Sequence, residues 1–450
     1  MRNPNLAKLK YTKSGRLLFT KEMKREYTIL APMMAPIHFR LIINVLRNCG
    51  YKFELLQNDG PNVVQEGLKY VHNDTCYPAL LVIGQFIDAL RSGKYDVNKT
   101  ALVITQTGGG CRASNYIHLL RKALKKAGLA QVPVISMNLS FLESNPGFHI
   151  TLSMIRKFVA AMVYGDALML LRNQTEAYEV HKGESNAMVE KWSEYLTDQF
   201  NRGKGLSRKQ QKGILFRISK DFASIEIKKV PKVKVGIVGE IYVKYSPLGN
   251  NNLEDFLREQ DCEVNMPGLM DFALFKVDNR LEDIKLYGGN PVKYFFVDLL
   301  MKYLQQMQNT LIASIKSEPR YHAPQSYPHI KSLIKGVIGY GDKMGEGWLL
   351  TAEMMELSEA GYENIVCAQP FGCLPNHIGG KGMIHRIKAV DEKSNIVPID
   401  YDPSATRVNQ ENRIKLMLAV AREKLKNQED AEKSDGKERC ASEMDSSSAS

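Results

Sequence analysis

The stretch YTILAPMMAPIHFRLIINVLRNCGYKFELL, residues 27–56, decides the fold class of this chain. Its first seven residues form an apolar run with the length of a buried strand, and residues 37–48 repeat apolar side chains at helical spacing. Gly50 ends the predicted helix, and residues 51–56 are predicted to form a second strand. Strand, helix and strand in this order predict a βαβ unit with parallel strands.

The same alternation continues along the next eighty residues. It predicts a helix over residues 79–90, a strand over 101–105, a helix over 114–126 and a strand over 132–137. Strands that alternate with helices indicate a mostly parallel sheet with helices on both faces. We therefore assign residues 1–145 to a first α/β lobe.

Residues 146–230 lack strand signals and carry apolar side chains at helical spacing, which predicts a helical insert. A second α/β lobe is expected over residues 231–426. It opens with a strand over 233–238, a long loop over 239–252, a helix over 253–258 and a strand over 262–266, so it repeats the opening of the first lobe. Later predicted elements are a helix over 348–358, strands over 363–368 and 395–400, and a closing helix over 410–425.

The last segment, residues 427–450, is rich in Glu, Lys, Asp and Ser, and we expect a disordered tail there. Taken together, the patterns predict an α/β protein of two Rossmann-like lobes with mostly parallel sheets, plus a helical insert. Cys440 lies in the expected tail and is not treated as a candidate ligand.

Composition and charge limit the classes of function. The formal net charge of +12 suits a polyanionic partner, yet no recognised nucleic-acid reader motif is present, so nucleic acid is a weak alternative. No apolar run reaches the roughly 18 residues that span a bilayer, and the N-terminal residues do not form a signal peptide. We expect a cytoplasmic protein without a membrane partner. Seven cysteines in a reducing compartment indicate metal binding or catalysis before disulfides.

Four cysteines lie where strands end or helices begin. Cys76 and Cys111 each precede a predicted helix, Cys367 ends a predicted strand, and Cys373 follows in the next loop. Parallel sheets bind ligands at the carboxyl ends of their strands, and helix N-termini favour thiolates. Thiolate-rich sites select zinc or iron–sulfur clusters, and the spacing alone leaves both open. Cys49 and Cys262 stand beside apolar strands and are interpreted as small buried residues.

Other residues near these cysteines are candidates for binding and catalysis. Gly108, Gly109, Gly110 and Gly372 would let the backbone approach a cofactor closely. Three further side chains are candidate acids, bases or proton donors, with ordinary loop or helix-entry packing as the alternative for each: Glu240, Glu346 and His377. No P-loop motif is present, so this sequence carries no recognisable nucleotide phosphate site.

Four stretches together resemble one family. They are NDTCYP at residues 73–78, TQTGGGCRASNY at 105–116, GEIY at 239–242 and CAQPFGCLPNH at 367–377. They resemble the dehydratase-like C-terminal part of large CoA-substrate-specific activase-related proteins, which is similar to components of 2-hydroxyacyl-CoA dehydratases. The resemblance extends over residues 15–422.

This resemblance implies a 4Fe-4S cluster, or a linked double cluster, held in the crevice of Rossmann-like lobes. It implies an electron donor that is a separate ATP-dependent iron–sulfur activase, and as further partners a second dehydratase-like subunit and an acyl-CoA. Cys76 and Cys111 match the family's cysteine turns, whereas either Cys367 or Cys373 matches the third. Three thiolate ligands would leave one iron open, as in a dehydratase (a lyase) or a small-molecule reductase, and four would favour electron transfer.

Two other classes of function remain as alternatives. One is a non-catalytic zinc or iron–sulfur subunit that acts as a scaffold or transfers electrons to a partner. The other, weaker alternative is a basic nucleotide- or RNA-binding protein, which would bind polyanions with a steep dependence on salt.

Overall fold

The chain folds around two separate four-stranded sheets, and all strand pairs within each sheet are parallel. The computed structural model describes residues 8–72, 74–107, 109–138 and 142–447, and for residues 432–447 it describes the backbone. Helices pack against both sheets, which confirms the predicted α/β fold class with two Rossmann-like lobes.

The first lobe has the strand order β2-β1-β3-β4. Its strands are β1 (Thr28–Ala31), β2 (Lys52–Leu55), β3 (Thr100–Thr105) and β4 (Val134–Met137). Its helices are α1 (Lys21–Glu26), α2 (Pro36–Asn48), α3 (Pro61–Tyr70), α4 (Tyr77–Arg91) and α5 (Tyr116–Lys126), with a 3₁₀ turn at Arg112–Ser114 before α5. The opening βαβ unit is therefore present as predicted.

The patterns did not predict α1 and α3. A capping box at Thr20 begins α1, which is too short to show helical periodicity. Helix α3 packs very closely on α4: a Cβ added to Gly84 would lie 2.0 Å from the carbonyl oxygen of Val63. Small residues at this crossing let the two backbones touch, and periodicity alone does not reveal such a contact.

Three long helices follow the first lobe: α6 (Leu152–Glu176), α7 (Glu184–Asn201) and α8 (Arg208–Ala223). Asp166, in the middle of α6, is 1% exposed and connects the two lobes. One of its oxygens lies 2.8 Å from Nε2 of His38 in the first lobe. The same carboxylate accepts hydrogen bonds from the backbone N–H groups of Leu269 and Met270 in the second lobe. The predicted helical segment thus holds the lobes together through a buried carboxylate.

The second lobe has the strand order β6-β5-β7-β8, which is the order of the first lobe repeated. Its strands are β5 (Val233–Gly239), β6 (Cys262–Asn265), β7 (Asn364–Pro370) and β8 (Asn395–Tyr401). Its helices are α9 (Ile241–Tyr245), α10 (Pro247–Asn250), α11 (Leu253–Glu259), α12 (Leu269–Tyr287), α13 (Pro291–Lys316), α14 (Tyr327–Leu333), α15 (Trp348–Glu359), α16 (Leu374–Gly379), α17 (Ile384–Val390) and α18 (Arg407–Ser447).

Two predictions for the second lobe need correction. The segment 239–252, predicted as a long loop, contains the short helices α9 and α10, each of which begins at a side chain that caps it: Glu240 for α9 and Ser246 for α10. The segment from residue 427, predicted as a disordered tail, continues α18 as a helix to Ser447. Its Glu, Lys and Ala residues have high helix propensity, so composition that prevents a core does not prevent a helix.

Candidate functional site

Three of the predicted ligand cysteines occupy equivalent local positions, directly before a helical segment. Cys76 precedes α4, Cys111 precedes the 3₁₀ turn, and Cys373 precedes α16. None of the three thiols caps its own helix by a side-chain hydrogen bond. Pro78 and Pro375 stand in the first turns of α4 and α16, where a missing N–H costs no helical hydrogen bond. Each sulfur nevertheless lies close enough to a backbone N–H of the turn that follows it, at Ala79, Ala113 or Asn376, for that group to favour the thiolate.

The turns that hold Cys76 and Cys373 pack against each other across the two lobes. Both cysteines belong to one small buried cluster with Ala79, and Tyr116 packs on it. The backbone N–H of Tyr77 donates to the carbonyl oxygen of Phe371 at 3.0 Å. Gly372 permits the close approach of these two turns, because a Cβ there would lie 3.3 Å from Cα of Cys76. The predicted approach of its backbone to a cofactor stays a prediction.

Cys111 approaches the same place from the end of β3. A Cβ added to Gly345 would lie 3.9 Å from Sγ of Cys111 and 3.0 Å from Cγ of Pro375, so this glycine separates the two cysteine turns. Gly345 has a φ of +58°, a conformation that favours glycine. Thus the three thiols from three turns converge at the crevice between the lobes.

Polar side chains contact two of these thiols directly. The hydroxyl of Tyr116 lies 2.7 Å from Sγ of Cys76. The amide nitrogen of Asn376 lies 3.5 Å from Sγ of Cys373 and donates to Glu346 Oε2 at 3.5 Å. Tyr116 and Asn376 stand within the quoted family-like stretches, but neither was singled out from the sequence. In the sequence, nothing indicates that these hydroxyl and amide groups contact cysteine sulfurs, because the contacts depend on how the turns pack in the folded protein.

Burial dominates the acidity of the three thiols. It raises the pKa of Cys76 to about 11, although the Tyr116 hydrogen bond acts in the opposite direction. Burial also raises the pKa of Cys111, and it raises that of Cys373 further still, with the nearby carboxylates of Glu240 and Glu346 adding to the effect. Metal-free thiols in this crevice are therefore protonated at neutral pH, and a bound cation would have to displace their protons.

The fourth predicted ligand, Cys367, does not join the other three. It is fully buried in β7 and packs in a different apolar cluster with Val238, Leu350 and Met354. Its sulfur accepts a hydrogen bond from Nε2 of Gln369 at 3.1 Å. Side chains along a strand alternate between two faces, so a cysteine in the strand itself can face a helix layer rather than the crevice. Of the two candidates for the third ligand, the structure brings Cys373 to the site.

Two predicted acidic residues lie beside the cysteines. Glu240 begins α9, and its carboxylate accepts a hydrogen bond from the N–H of Val243 at 2.9 Å. Glu346 is 6% exposed, and it accepts from the N–H of Ile241 at 3.1 Å. Burial, and then the neighbouring Glu346, raise the pKa of Glu240 to about 8. Glu240 is therefore able to hold a proton at neutral pH in the wall of the crevice.

The remaining predicted residues have more modest surroundings. Gly109 and Gly110 line the crevice, and a Cβ on Gly110 would lie 2.5 Å from the sulfur of Met344. Gly108 lies outside the described residues. His377 is half-buried in α16, and its backbone N–H donates to the carbonyl oxygen of Cys373. Within the described part of the chain no hydrogen bond or ion pair of its imidazole is found, so its proposed chemical role stays a prediction.

An open cleft of about 540 Å³ begins at Cys111. The ends of β3 and β4 form one wall, and α12 with residues 343–345 forms the other. Ligand sites of doubly wound sheets lie at this position, beyond the carboxyl ends of the strands. Lys276 and Arg280 of α12 line this cleft, and the sequence did not single them out, because on an amphipathic helix they resemble any solvent-facing cations.

The three thiols are soft ligands, which suit zinc and iron–sulfur clusters alike. Among the described residues, no three or more His, Cys, Asp or Glu side chains are arranged to hold one metal ion. A zinc site needs its ligands around a single point. A cubane spreads its thiolates over separate irons, so soft ligands from three separate turns of a buried crevice suit it.

Comparison with known proteins adds no relative: no family model matches the chain, and no curated protein matches it significantly. In the parts of the chain that the structure describes, no helix is both long enough and apolar enough to cross a membrane.

Proposed function

We propose that the chain is an iron–sulfur redox protein whose cluster is held by Cys76, Cys111 and Cys373 in the crevice between the lobes. The observation that carries the proposal is the convergence of these three thiols, which come from separate turns. Thiolates are the ligands of protein-bound iron–sulfur clusters. The resemblance of the cysteine turns to those of 2-hydroxyacyl-CoA dehydratase components supports the same assignment.

The cluster would supply one-electron chemistry, and the chain's own residues would position and insulate it. Tyr116 would donate a hydrogen bond to the thiolate of Cys76, because burial keeps the pKa of its hydroxyl well above the usual value. Asn376 would orient Cys373 in the same way. Glu240 would hold a proton close to the thiols.

The enzymatic form of this proposal, a dehydratase (lyase) or small-molecule reductase, is favoured by the cleft at Cys111. Three thiolates would leave one iron of a cubane without a protein sulfur, and the cleft at Cys111 would give a small molecule access to the site. A pure electron-transfer or scaffold subunit has no need for such a cleft. We further propose that the electrons come from an ATP-dependent iron–sulfur activase, as the family resemblance implies.

A matched pair of substitutions tests the proposal. The full-length protein is purified without oxygen, its iron, zinc and acid-labile sulfide are measured, and the reduced form is examined by EPR. Cys373→Ala should lose the iron, the sulfide and the EPR signal, as should Cys76→Ala and Cys111→Ala. Cys367→Ala is the control, because this residue lies in the β7 core away from the site, and it should keep all three.

Two results would contradict the proposal. One is zinc without sulfide in the fresh protein, which would leave a structural zinc role. The other is a cluster that survives Cys373→Ala but disappears with Cys367→Ala, which would mean that the ligands are not the three that converge in the crevice.

A further inference from the structure

We infer that the cleft beside Cys111 binds a small organic carboxylate with a short apolar body, and that Arg280 and Lys276 recognise its carboxylate. The inference rests on the proposed function in that it names the substrate class of the same site. Five of the residues that line the cleft belong to α12, and they include both of these cations.

The cations along α12 form a series that leads away from the cysteines. Lys276 lies innermost: its ammonium donates to the carbonyl oxygen of Gly345, the glycine that touches Cys111. Arg280 follows one helical turn later on the same face. Farther along, Asp283 pairs with Lys343, which belongs to the same wall of the cleft. The cleft therefore presents three cations against a single carboxylate.

Arg280 is the cation that remains available to a ligand. Lys343 is neutralised by Asp283, and Lys276 is engaged with a backbone carbonyl. Arg280 makes no hydrogen bond or ion pair with any residue that the structure describes. Its guanidinium presents a planar fork of donors that matches a carboxylate. An anion between Arg280 and Lys276 would also relieve the repulsion between these two cations.

A second polar group in the cleft also lacks a partner. Asn279 is 7% exposed and lines the cleft, and its amide nitrogen donates to the carbonyl oxygen of Lys343. Its amide oxygen is buried without a hydrogen-bond partner among the described residues. A buried acceptor left without a donor is costly. A hydroxyl or amine on the ligand, next to its carboxylate, would supply that donor.

The rest of the lining is apolar and limits the size of the ligand. Phe272, Met137 and Met344 line the cleft between the cations and the strand ends. Its volume of about 540 Å³ is in the range of cavities that take small molecules.

Calorimetric titration of the full-length protein, purified without oxygen, tests the inference with hexanoate as the probe and hexanamide as its neutral isostere. Hexanoate should bind at least about 10-fold more tightly than hexanamide, because charged hydrogen bonds are lost with the amide. Arg280→Ala should weaken hexanoate about 10- to 100-fold, and Arg280→Lys should recover part of the loss. Lys302→Ala, on the exposed face of α13 outside the cleft, is the matched control and should bind as the parent does.

Equal binding of hexanoate and hexanamide, or unchanged binding after Arg280→Ala, overturns the inference. So does binding of coenzyme A or inorganic phosphate that depends on Arg280 while hexanoate does not bind, since the site would then recognise phosphate. Iron and sulfide are measured in each sample. Samples that hold the cluster but bind no hexanoate refute the carboxylate site alone, whereas samples without cluster refute the proposed function whatever they bind.

Discussion

The two lobes share one topology but differ in what they place at equivalent positions. In each lobe the third strand, β3 or β7, leads to a turn with a cysteine, Cys111 in the first and Cys373 in the second. The helix that precedes the third strand is α4 in the first lobe and α15 in the second. Cys76 stands directly before α4, whereas Gly347 stands directly before α15, with Glu346 one residue earlier. The repeated fold therefore offers four corresponding positions around the crevice, with three thiols and one carboxylate. We call these positions the four corners: Cys76, Cys111, Cys373 and Glu346.

The same two helices differ in their interiors. Almost every residue of α4 is buried and apolar, and Gln85 is the one buried polar side chain that it contributes. Helix α15 buries two carboxyl groups, Glu353 and Glu356. The first lobe therefore backs its two thiols with an apolar helix, whereas the second lobe supplies the carboxyl groups of the crevice and of the core behind it.

Glu346→Cys should have the largest effect, because it places a thiol before α15 in the second lobe, as Cys76 stands before α4 in the first. If the four corners are equivalent, the new thiolate should bind the remaining iron and close the site. Cyanide should then change the EPR spectrum of the reduced parent protein and of the control Glu346→Gln, but it should leave that of Glu346→Cys unchanged. A spectral change that persists in Glu346→Cys would show that Glu346 does not occupy the fourth corner.

Glu353→Ala should be the most destabilising change in the second lobe. Glu353 forms an ion pair with Lys244 at 3.0 Å, and the two side chains are 3% and 4% exposed. Removing the carboxylate leaves a buried ammonium without a partner, which costs about 3–5 kcal/mol of the free energy of unfolding. Urea denaturation measures this loss. Gln85→Leu in the equivalent helix α4 is the comparison variant, and a loss as large as that of Glu353→Ala there would contradict the contrast between the two interiors.

Some of these features follow from local sequence signals, and others depend on how the elements pack. The strands, the lobes and the turns at Cys76 and Cys111 follow from local signals: apolar runs, glycine and proline stops, and cysteines at helix starts. The choice between Cys367 and Cys373 depends on which face of β7 meets the crevice, and only the packing of α15 and α16 against that strand decides it. The proposed carboxylate site on α12 was not predicted for a similar reason. Arg280 lines a cleft only because the ends of β3 and β4, which are distant in the sequence, form its other wall.

Glu356→Gln should change how stability depends on pH. Burial raises the pKa of Glu356 to about 7, above its unfolded value of 4.5. The folded protein therefore binds a proton on Glu356 more tightly than the unfolded chain does. The stability that comes from this bound proton is fully present below pH 4.5 and is lost as pH rises through 7. The loss is at most about 3 kcal/mol. Urea denaturation between pH 5 and 8 should show a smaller decline for Glu356→Gln; an identical decline in both proteins would contradict the assignment.

Tyr116→Phe should have the smallest effect, and it tests the first lobe's contribution to the cluster. The variant removes the hydroxyl that lies 2.7 Å from Sγ of Cys76 and keeps the ring that packs on the cysteine pair. Hydrogen bonds to cluster sulfurs raise the reduction potential, because they stabilise the added negative charge. One such bond, worth about 1 kcal/mol, corresponds to a decrease on the order of 40 mV. An EPR-monitored redox titration measures it, with Tyr95→Phe, whose hydroxyl donates to Glu54 instead, as the control. An unchanged potential in Tyr116→Phe would mean that Cys76 does not carry the cluster's charge, and the apolar wall of α4 would then be the first lobe's main contribution to this corner.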